Sequence, residues 1–241
     1  MSAAAPLASF PLGWRALVVG ASGAIGAALV AQLRADPGCA EVLALHRQSQ
    51  PPMDFNDEAG LAASAAQLAE HVRAHGAFHL IINAAGLLHS EAFAPEKKLG
   101  DLNLAQMEAT FRANAFGPAL LLRHLTPLLD RQRGVFALLS AKVGSIGDNR
   151  LGGWYSYRAS KAALNMLVKT ASIELRRSQP HAVLVALHPG TVSSALSRPF
   201  RGDQIGRAPA VAAAELLGVL DRLQPVDSGT FRSWDGQHLP W

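Results

Sequence analysis

The sequence contains little cysteine, few charged residues and no long apolar run. Cys39 is the single cysteine among 241 residues, so an intrachain disulfide framework is excluded and a reducing, cytoplasmic location is expected. No apolar run approaches the ~20 residues of a membrane-spanning helix, so no membrane partner is expected. Hydrophobic residues make up 49% of the chain and charged residues 17%, which excludes a disordered protein and predicts a large buried core.

The basic charge of the chain is spread too thinly for a nucleic-acid surface. The formal net charge is +4, but the densest clusters are pairs such as Lys97-Lys98 and Arg176-Arg177. These pairs are not interleaved with aromatic residues, as a single-strand groove requires, and no known nucleic-acid motif is present. The charge pattern therefore predicts no nucleic-acid partner. No metal site is predicted either.

Short apolar runs alternate with longer segments of helical period along the whole chain. This alternation predicts a single domain, with a doubly wound, mostly parallel α/β sheet and helices on both faces. Seven strands are predicted, at residues 14–19, 41–45, 53–55, 78–83, 135–140, 183–187 and 229–234. The third has little room, because Pro51-Pro52 directly precedes it. Long helices are predicted at 103–125 and 154–177; the domain covers 10–241, and residues 1–9 are expected to fray.

A glycine-rich turn directly follows the first predicted strand. It reads Gly20-Ala21-Ser22-Gly23-Ala24-Ile25-Gly26 and leads into a helix. The apolar stretch 16–31 resembles a signal peptide, but its glycines favour a strand, a tight turn and a helix start. Glycine lets the backbone approach a pyrophosphate whose charge lies at the helix N-terminus. The turn therefore predicts a dinucleotide site, with a glycine turn that binds no ligand as the alternative.

The residues after the second predicted strand discriminate between cofactors. Enzymes that use NAD usually place an acidic side chain here for the ribose hydroxyls, whereas this chain has His46-Arg47. An arginine at this position can pair with the 2′-phosphate of NADP. The sequence therefore favours NADP, with NAD as a second possibility and a solvated Arg47 as the alternative interpretation.

Four further motifs follow in a fixed order, namely Asn83-Ala84-Ala85-Gly86, Asn114-Ala115-Phe116-Gly117, Tyr157-Arg158-Ala159-Ser160-Lys161 and Pro189-Gly190-Thr191-Val192. Together with the glycine turn they resemble the short-chain dehydrogenase/reductase family over nearly the whole chain. Residues 143–157 and the ending Trp234-Asp235-Gly236 to Pro240-Trp241 are similar to its C-factor-type, carbonyl-reductase-like subgroup. The resemblance implies a Rossmann-type subunit, a nicotinamide cofactor and reversible carbonyl/alcohol chemistry on a small molecule.

Tyr157 and Lys161 are the candidate proton-transfer pair. They are four residues apart, so they share one face of a helix. The ammonium group is expected to lower the pKa of Tyr157 toward the working pH, and Tyr157 then acts as general acid toward the carbonyl oxygen. Tyr155 is the alternative, but Ala159 stands where its lysine would be. By resemblance, Lys161 also contacts the nicotinamide ribose, and Asn114 holds a water that links the lysine to solvent.

The glycine turn and the resemblance together give the candidate cofactor-binding residues. Asp54 matches an acid that contacts the adenine amino group, with a loop cap as the alternative. Asn83 matches a residue that steadies the central strands, and the hydroxyls of Thr191 and Ser194 match groups that bind the nicotinamide amide or the pyrophosphate. The full set is Gly20, Ser22, Gly23, Ile25, Gly26, His46, Arg47, Asp54, Asn83, Ala84, Gly86, Tyr157, Lys161, Pro189, Gly190, Val192 and Ser194.

One position departs from the family pattern. The family places a catalytic serine after the fifth predicted strand, where it polarises the substrate carbonyl, and this chain has Ala141 there. Ser140 or Ser145 supplies the hydroxyl if the local turn differs, and Ser140 is our candidate. If neither does, the loss of such a donor typically costs about 10²–10³ in rate.

These features predict an NADP-dependent carbonyl reductase or alcohol dehydrogenase. The alternative is a nucleotide-binding signalling or regulatory protein of the same fold with weak turnover, and a lyase or epimerase is a third option. Residues 193–207 are expected to form a mobile wall of the substrate pocket. This segment mixes Leu196, Pro199 and Phe200 with Arg198 and Arg201, so the pocket is expected to be apolar with one contact to an anionic group of the substrate. By resemblance, the two long helices pair with a second copy, which implies a homodimer or homotetramer.

Overall fold

The computed structural model describes residues 7–241 as a parallel sheet covered by helices. The strands are β1 Trp14–Val19, β2 Cys39–Leu45, β3 Leu80–Asn83, β4 Val135–Leu139, β5 Val183–His188 and β6 Thr230–Ser233. The helices are α1 Ala24–Ala35, α2 Glu58–His75, α3 Leu104–Phe111, α4 Gly117–Leu125, α5 Tyr155–Ser178, α6 Gly202–Ile205 and α7 Pro209–Arg222. A π-helical turn, Arg112–Phe116, joins α3 to α4.

The sheet order is β2-β1-β3-β4-β5-β6, and each neighbouring pair is parallel. The chain moves outward from β1 to β2 and then crosses back to place β3 on the other side of β1. Ligands of such sheets bind at the carboxyl ends of the strands, beside this reversal. The fold is therefore Rossmann-like, and its topology places the candidate site next to β1 and β3.

Two apolar cores lie on opposite faces of the sheet. Leu29 of α1 and Leu216 of α7 belong to one core, and Leu61 of α2, Leu121 of α4 and Leu164 of α5 belong to the other. Every residue of β3 and of β4 is buried, as expected for unbroken apolar strands that are covered on both faces. Within residues 7–241, no helix has the length and apolarity to cross a bilayer.

The prediction of a strand at residues 53–55 is wrong, and the described sheet has six strands instead of seven. Proline has no N–H for a strand ladder, so a paired strand cannot extend back through Pro51 and Pro52, and only three residues are left for it. The N–H of Met53 donates to the carbonyl of His46 at 2.9 Å, which turns the segment back toward the end of β2. Phe55 then packs against Gly117, where a Cβ would collide with the phenyl ring.

Two further boundaries differ from those expected. The helix expected over 103–125 is interrupted by the π-helical turn that contains Asn114. Of the segment expected to fray, residues 1–6 lie outside the described residues. Leu7 is buried and its N–H donates to Asp36 Oδ2 at 2.8 Å, and the N–H of Ser9 donates to Asp221 Oδ1 at 2.8 Å. Residues 7–9 are therefore held against the fold.

Candidate active site

A cavity of about 370 Å³ lies at the carboxyl edge of β1, β2 and β3. It brings together eight of the residues that the sequence marked as cofactor-binding, namely Gly20, Ser22, Gly23, His46, Arg47, Asp54, Ala84 and Gly86. Met53, Phe55 and Arg112 also line it, and none of these three was predicted. Pro189, Gly190, Val192 and Ser194 lie outside this cavity, at and beyond the end of β5.

The glycine turn has the geometry that a pyrophosphate site needs. Gly20 has a φ of +82°, and a Cβ on it would lie 2.6 Å from the amide nitrogen of Ala85. A Cβ on Gly26 would collide with the carbonyl of Gly20. Gly23 caps α1 without a side-chain hydrogen bond, and the first turn of α1, which includes Ile25, carries no acidic residue. The helix N-terminus therefore faces the cavity without a competing anion, and the residues fit a dinucleotide.

The far end of the cavity combines a cation with a carboxylate. Arg47 is exposed, and within residues 7–241 its side chain makes no hydrogen bond or ion pair. Asp54 Oδ1 accepts hydrogen bonds from the backbone and side-chain nitrogens of Asn56, at 3.0 and 2.8 Å. Asp54 therefore caps its loop, as the alternative interpretation expected, and also lines the cavity.

Asn83 ends β3 beneath the cavity. Its Oδ1 accepts a hydrogen bond from the N–H of Ala85 at 3.1 Å, which holds the turn that carries Ala84 and Gly86. Its Nδ2 is buried and has no partner within the described residues. The contact with Ala85 fits a residue that stabilises the turn after β3.

The π-helical turn directs Asn114 toward α5 and the loop after β3. Its Oδ1 accepts the N–H of Leu87 at 2.8 Å, and its Nδ2 donates to the carbonyl of Leu87 at 2.7 Å and to Ser160 Oγ at 3.1 Å. Such π-turns are frequent at functional sites. A Cβ on Gly86 would lie 3.4 Å from Asn114 Oδ1 and 3.6 Å from Lys161 Nζ, so the cavity borders Asn114 and Lys161.

Tyr157 and Lys161 share one face of α5 above the end of β4. Lys161 Nζ donates to the carbonyl of Leu139 at 2.8 Å and lies 5.8 Å from the centroid of the Tyr157 ring. Burial raises the pKa of Tyr157 to about 12 and lowers the pKa of Lys161 to about 8. The expected fall in the pKa of Tyr157 is not found, because desolvation dominates over an ammonium at this distance. Tyr157 is therefore protonated at neutral pH.

Neither serine near Ala141 presents an uncommitted hydroxyl. Ser140 Oγ donates to Asn165 Oδ1 at 2.7 Å, inside the fold. Ser145 Oγ donates to the carbonyl of Trp241 at 3.2 Å and accepts the N–H of Asp148. The hydroxyl protons of both serines are thus used within the protein, and Ala141 itself contributes only a methyl group.

Arg207 closes the base of the loop that follows β5. Its N–H donates to the carbonyl of Thr191 at 3.0 Å, and its carbonyl accepts the N–H of Ser193 at 2.9 Å. Its guanidinium group bonds the carbonyl of Pro189 and the carboxylate of Glu215. The same group stacks 3.7 Å from the centroid of the Trp234 ring. The two ends of the loop formed by residues 193–207 are therefore hydrogen-bonded to each other. They lie beside Gly190, which has a φ of +70°.

Glu96 is a residue that the sequence analysis missed. It is 2% exposed, and its carboxylate accepts hydrogen bonds from the N–H and the hydroxyl of Ser156. Its carbonyl accepts the N–H of Trp154 at 2.5 Å. A carboxylate at a helix N-terminus is stabilised by the helix dipole, so Glu96 fixes the first turn of α5 and with it Tyr157. No local motif signals this role, because the two segments are 60 residues apart.

Replacing Glu96 by alanine is expected to lower the free energy of unfolding by about 2–3 kcal/mol, since the donors of Ser156 lose their buried acceptor. Thermal unfolding measures this change as a fall of roughly 4–12 °C in Tm. Glu96→Gln keeps one acceptor oxygen and should lose less than half as much. The control is Glu91→Ala, which removes an exposed carboxylate from the same loop. Equal melting of the Glu96→Ala and Glu91→Ala variants would contradict the capping role.

Comparison of the sequence with known families and proteins gives a consistent set of relatives. The profile of the short chain dehydrogenase family matches residues 15–205. The chain is 33% identical to the 1-hydroxy-2-glutathionyl-2-methyl-3-butene dehydrogenase of Rhodococcus sp. (strain AD45), over 80% of either chain. It is 40% identical to the C-signal protein of Myxococcus xanthus over 59% of this chain and 83% of that protein.

Solved structures with the same fold include two carbonyl reductases. The NADPH-bound carbonyl reductase from chicken fatty liver superposes with a TM-score of 0.82 at 27% identity, over 96% of both chains. The carbonyl reductase of Pseudomonas aeruginosa PAO1 in complex with NADP has a TM-score of 0.76 at 26% identity, over 95% of this chain and 99% of that chain. Both similarities extend over nearly the whole of this chain.

Proposed function

The chain belongs to the short-chain dehydrogenase family, and from that premise we propose that it is an NADP-dependent oxidoreductase that interconverts carbonyl compounds and alcohols. One observation carries the proposal: Tyr157 and Lys161 lie on one face of α5, with Lys161 Nζ 5.8 Å from the phenol ring. The cavity that fits a dinucleotide borders Lys161 of this pair at Gly86. An NADPH-oxidation assay with a panel of ketones, aldehydes and quinones tests the proposal.

Tyr157 is the general acid of the proposed reduction. The nicotinamide, when bound, supplies the hydride. With a pKa of about 12, Tyr157 holds its proton at neutral pH and donates it from Oη to the carbonyl oxygen of the substrate. Lys161, with a pKa of about 8, is mostly protonated at pH 7, and its charge stabilises the phenolate that remains. Asn114 holds the loop after β3 against α5, which keeps Gly86 beside Lys161.

Arg47 supports NADP as the cofactor. It is an exposed cation without a protein partner among the described residues, at the end of the cavity where the ribose of the adenosine would lie. A guanidinium group matches a 2′-phosphate, and the residues directly after β2 are His46 and Arg47 instead of an acid for ribose hydroxyls. Asp54 at the same end of the cavity is hydrogen-bonded to Asn56. Two similar solved carbonyl reductases hold NADPH or NADP, which agrees with this choice.

Restoring a hydroxyl at position 141 is expected to accelerate the proposed reaction. Ala141→Ser adds a donor for the substrate carbonyl, and a single such donor is worth up to about 10²–10³ in rate. We expect kcat to rise at least about tenfold, measured by NADPH oxidation, with Ala159→Ser on the exposed side of α5 as the control. An unchanged kcat would contradict the prediction and would mean that another group already serves as the donor.

Ser140 is the alternative donor, after rotation away from Asn165. The Ser140→Ala variant tests it directly, because a loss of about 10²–10³ in kcat would assign the donor to Ser140. The absence of a hydroxyl at Ala141 also favours the second candidate function, a nucleotide-binding regulatory protein with weak turnover. The two functions differ in whether NADPH is consumed in proportion to an added carbonyl compound.

The proposal extends to assembly and location. Met166 and Ile173 on α5 are 66% and 48% exposed, which supports a homodimer or homotetramer formed through this helix. Mass measurement in solution decides between these states and a monomer. We also propose a cytoplasmic location and a small-molecule substrate, supported by the scarcity of cysteine and by the family.

A further inference from the structure

Three aromatic side chains from different loops meet beside Tyr157. Trp154 precedes α5, Phe200 lies in the loop after β5, and His89 follows β3. The ring centroids of Trp154 and Tyr157 are 6.2 Å apart, edge to face, and those of Trp154 and Phe200 are 4.9 Å apart. His89 and Phe200 are separated by 5.8 Å. We call Trp154, Phe200 and His89 the aromatic wall.

Trp154 is held in a backbone conformation that large residues rarely adopt. Its φ is +53° and its ψ is +43°, in the left-handed region. Such strain persists only where the surroundings enforce it, and it concentrates at functional sites. Here the N–H of Trp154 donates to the carbonyl of Glu96, and Arg158 Nε donates to the carbonyls of Gly152 and Gly153 at 3.1 and 3.0 Å. These hydrogen bonds hold the backbone at Trp154 in the left-handed conformation.

The wall does not belong to either hydrophobic core. Trp154, Phe200 and His89 are each partly exposed, as is Tyr157. His89 Nε2 hydrogen-bonds the carbonyl of Leu196 at 3.1 Å, so its ring is tied to the loop that carries Phe200. The wall thus presents apolar ring surface next to the proton donor, and partly exposed aromatic surface beside a reactive group marks a ligand contact.

The same two loops carry further exposed apolar side chains. Leu151 is 92% exposed and Ile146 78% exposed in the segment before α5, and Ile205 is 62% exposed in the segment after β5. Surface leucine and isoleucine side chains scattered singly need no explanation, but here they flank an aromatic cluster in the same two segments. The segments that bound Tyr157 therefore carry exposed apolar side chains together with the exposed guanidinium groups of Arg150, Arg198 and Arg201.

We infer that the aromatic wall sets substrate choice, and that it selects carbonyl compounds with a flat aromatic group next to the carbonyl. This inference rests on the proposed function. The aromatic group packs on Trp154 and Phe200 while the carbonyl oxygen lies at the Tyr157 hydroxyl. None of the three wall residues carries a carboxylate, ammonium or guanidinium group, so an aryl ring that packs on Trp154 and Phe200 desolvates no such charge. An aliphatic chain of equal size gains the apolar contact but not the ring-on-ring interaction.

The test compares an aryl methyl ketone with a linear aliphatic ketone of the same carbon number. Wild-type protein should prefer the aryl ketone at least about tenfold in kcat/KM, since each aromatic pair is worth roughly 0.5–1.5 kcal/mol. Trp154→Leu and Phe200→Leu should each lower kcat/KM for the aryl ketone about three- to tenfold, mainly through KM. The aliphatic ketone should change less than about threefold. The control, Phe111→Leu, removes an aromatic ring from α3, outside the wall.

A binding measurement accompanies the kinetics. Benzamide and heptanamide, which have the same carbon number, are unreactive analogues whose affinities are measured by calorimetry with NADP present. The two wall variants should weaken the binding of benzamide only. Phe200→Leu lies outside α5, so it remains informative if Trp154→Leu fails to fold. Turnover without an aryl preference, or equal effects of the variants on both ketones, would overturn the inference and leave the proposed function intact. Selective loss of benzamide binding without any turnover would support the wall and overturn the proposed function.

Discussion

Replacement of Tyr157 by phenylalanine is expected to reduce ketone reduction by about 10²–10⁴-fold in kcat, because the variant has no proton to donate to the carbonyl oxygen. The substitution removes one oxygen atom from a partly exposed side chain that makes no side-chain hydrogen bond to residues 7–241, so the fold should be unaffected. Steady-state NADPH oxidation measures kcat, and thermal unfolding checks the fold. Binding of NADPH, measured by thermal shift, should change little.

Tyr155 provides a matched control for this variant. The chain contains only two tyrosines, and Tyr155 lies two positions before Tyr157, at the first residue of α5. Tyr155→Phe also removes a phenolic hydroxyl from the first turn of α5. Tyr155 has no lysine four residues after it, because position 159 is alanine. It should keep kcat within about threefold of wild type. If the Tyr155 variant loses activity and the Tyr157 variant does not, the general acid is assigned to the wrong tyrosine.

Charge reversal at Arg47 is expected to remove the preference for NADPH. A charge-assisted hydrogen bond to a phosphate contributes about 1.5–3 kcal/mol, and a glutamate adds repulsion of the 2′-phosphate. Arg47→Glu should therefore lower kcat/KM for NADPH by about 100-fold and leave kcat/KM for NADH within about threefold. Thermal-shift titration gives the same comparison without turnover, because a bound cofactor raises Tm according to its affinity.

The control for Arg47→Glu is a charge reversal at the opposite side of the sheet, where the amino ends of the strands lie. Arg131 is exposed in the loop before β4, at the amino end of the strand. Arg131→Glu changes the net charge of the chain by the same amount and should leave the ratio of NADPH to NADH unchanged. Equal effects of the two variants would mean that Arg47 acts only through the overall field of the protein. A wild-type preference for NAD would contradict the cofactor assignment itself.

The parts of the fold that depend on local sequence could be predicted. The first strand and its glycine turn are adjacent in sequence, so the apolar pattern and the spacing are enough to predict the strand and the tight turn that follows it at Gly20. The strand expected at 53–55 was wrong because the decisive contact, from the N–H of Met53 to the carbonyl of His46, is tertiary and does not alter the local pattern. The apolar periodicity likewise does not predict the π-helical turn that contains Asn114.

The candidate site shows the same division between local and long-range information. The helical spacing predicts that Tyr157 and Lys161 share a face, but the direction of each pKa shift depends on the desolvation that the folded chain imposes on the two groups. The role of Glu96 depends on a contact with Ser156, far along the chain. The hydrogen bond from Ser140 to Asn165 connects the end of β4 to α5, and no sequence motif predicts this contact. Long-range contacts therefore decide which of the predicted groups can act.

The central claim is that this chain transfers hydride between NADP and a carbonyl group. The most direct measurement is NADPH oxidation by the purified protein with an aryl ketone, with the alcohol product quantified in parallel. We expect one alcohol molecule to form for each NADPH oxidised, and both signals to be lost in the Tyr157→Phe variant. A protein that binds NADPH but forms no alcohol from any ketone, aldehyde or quinone offered would contradict the account and favour a regulatory nucleotide-binding protein.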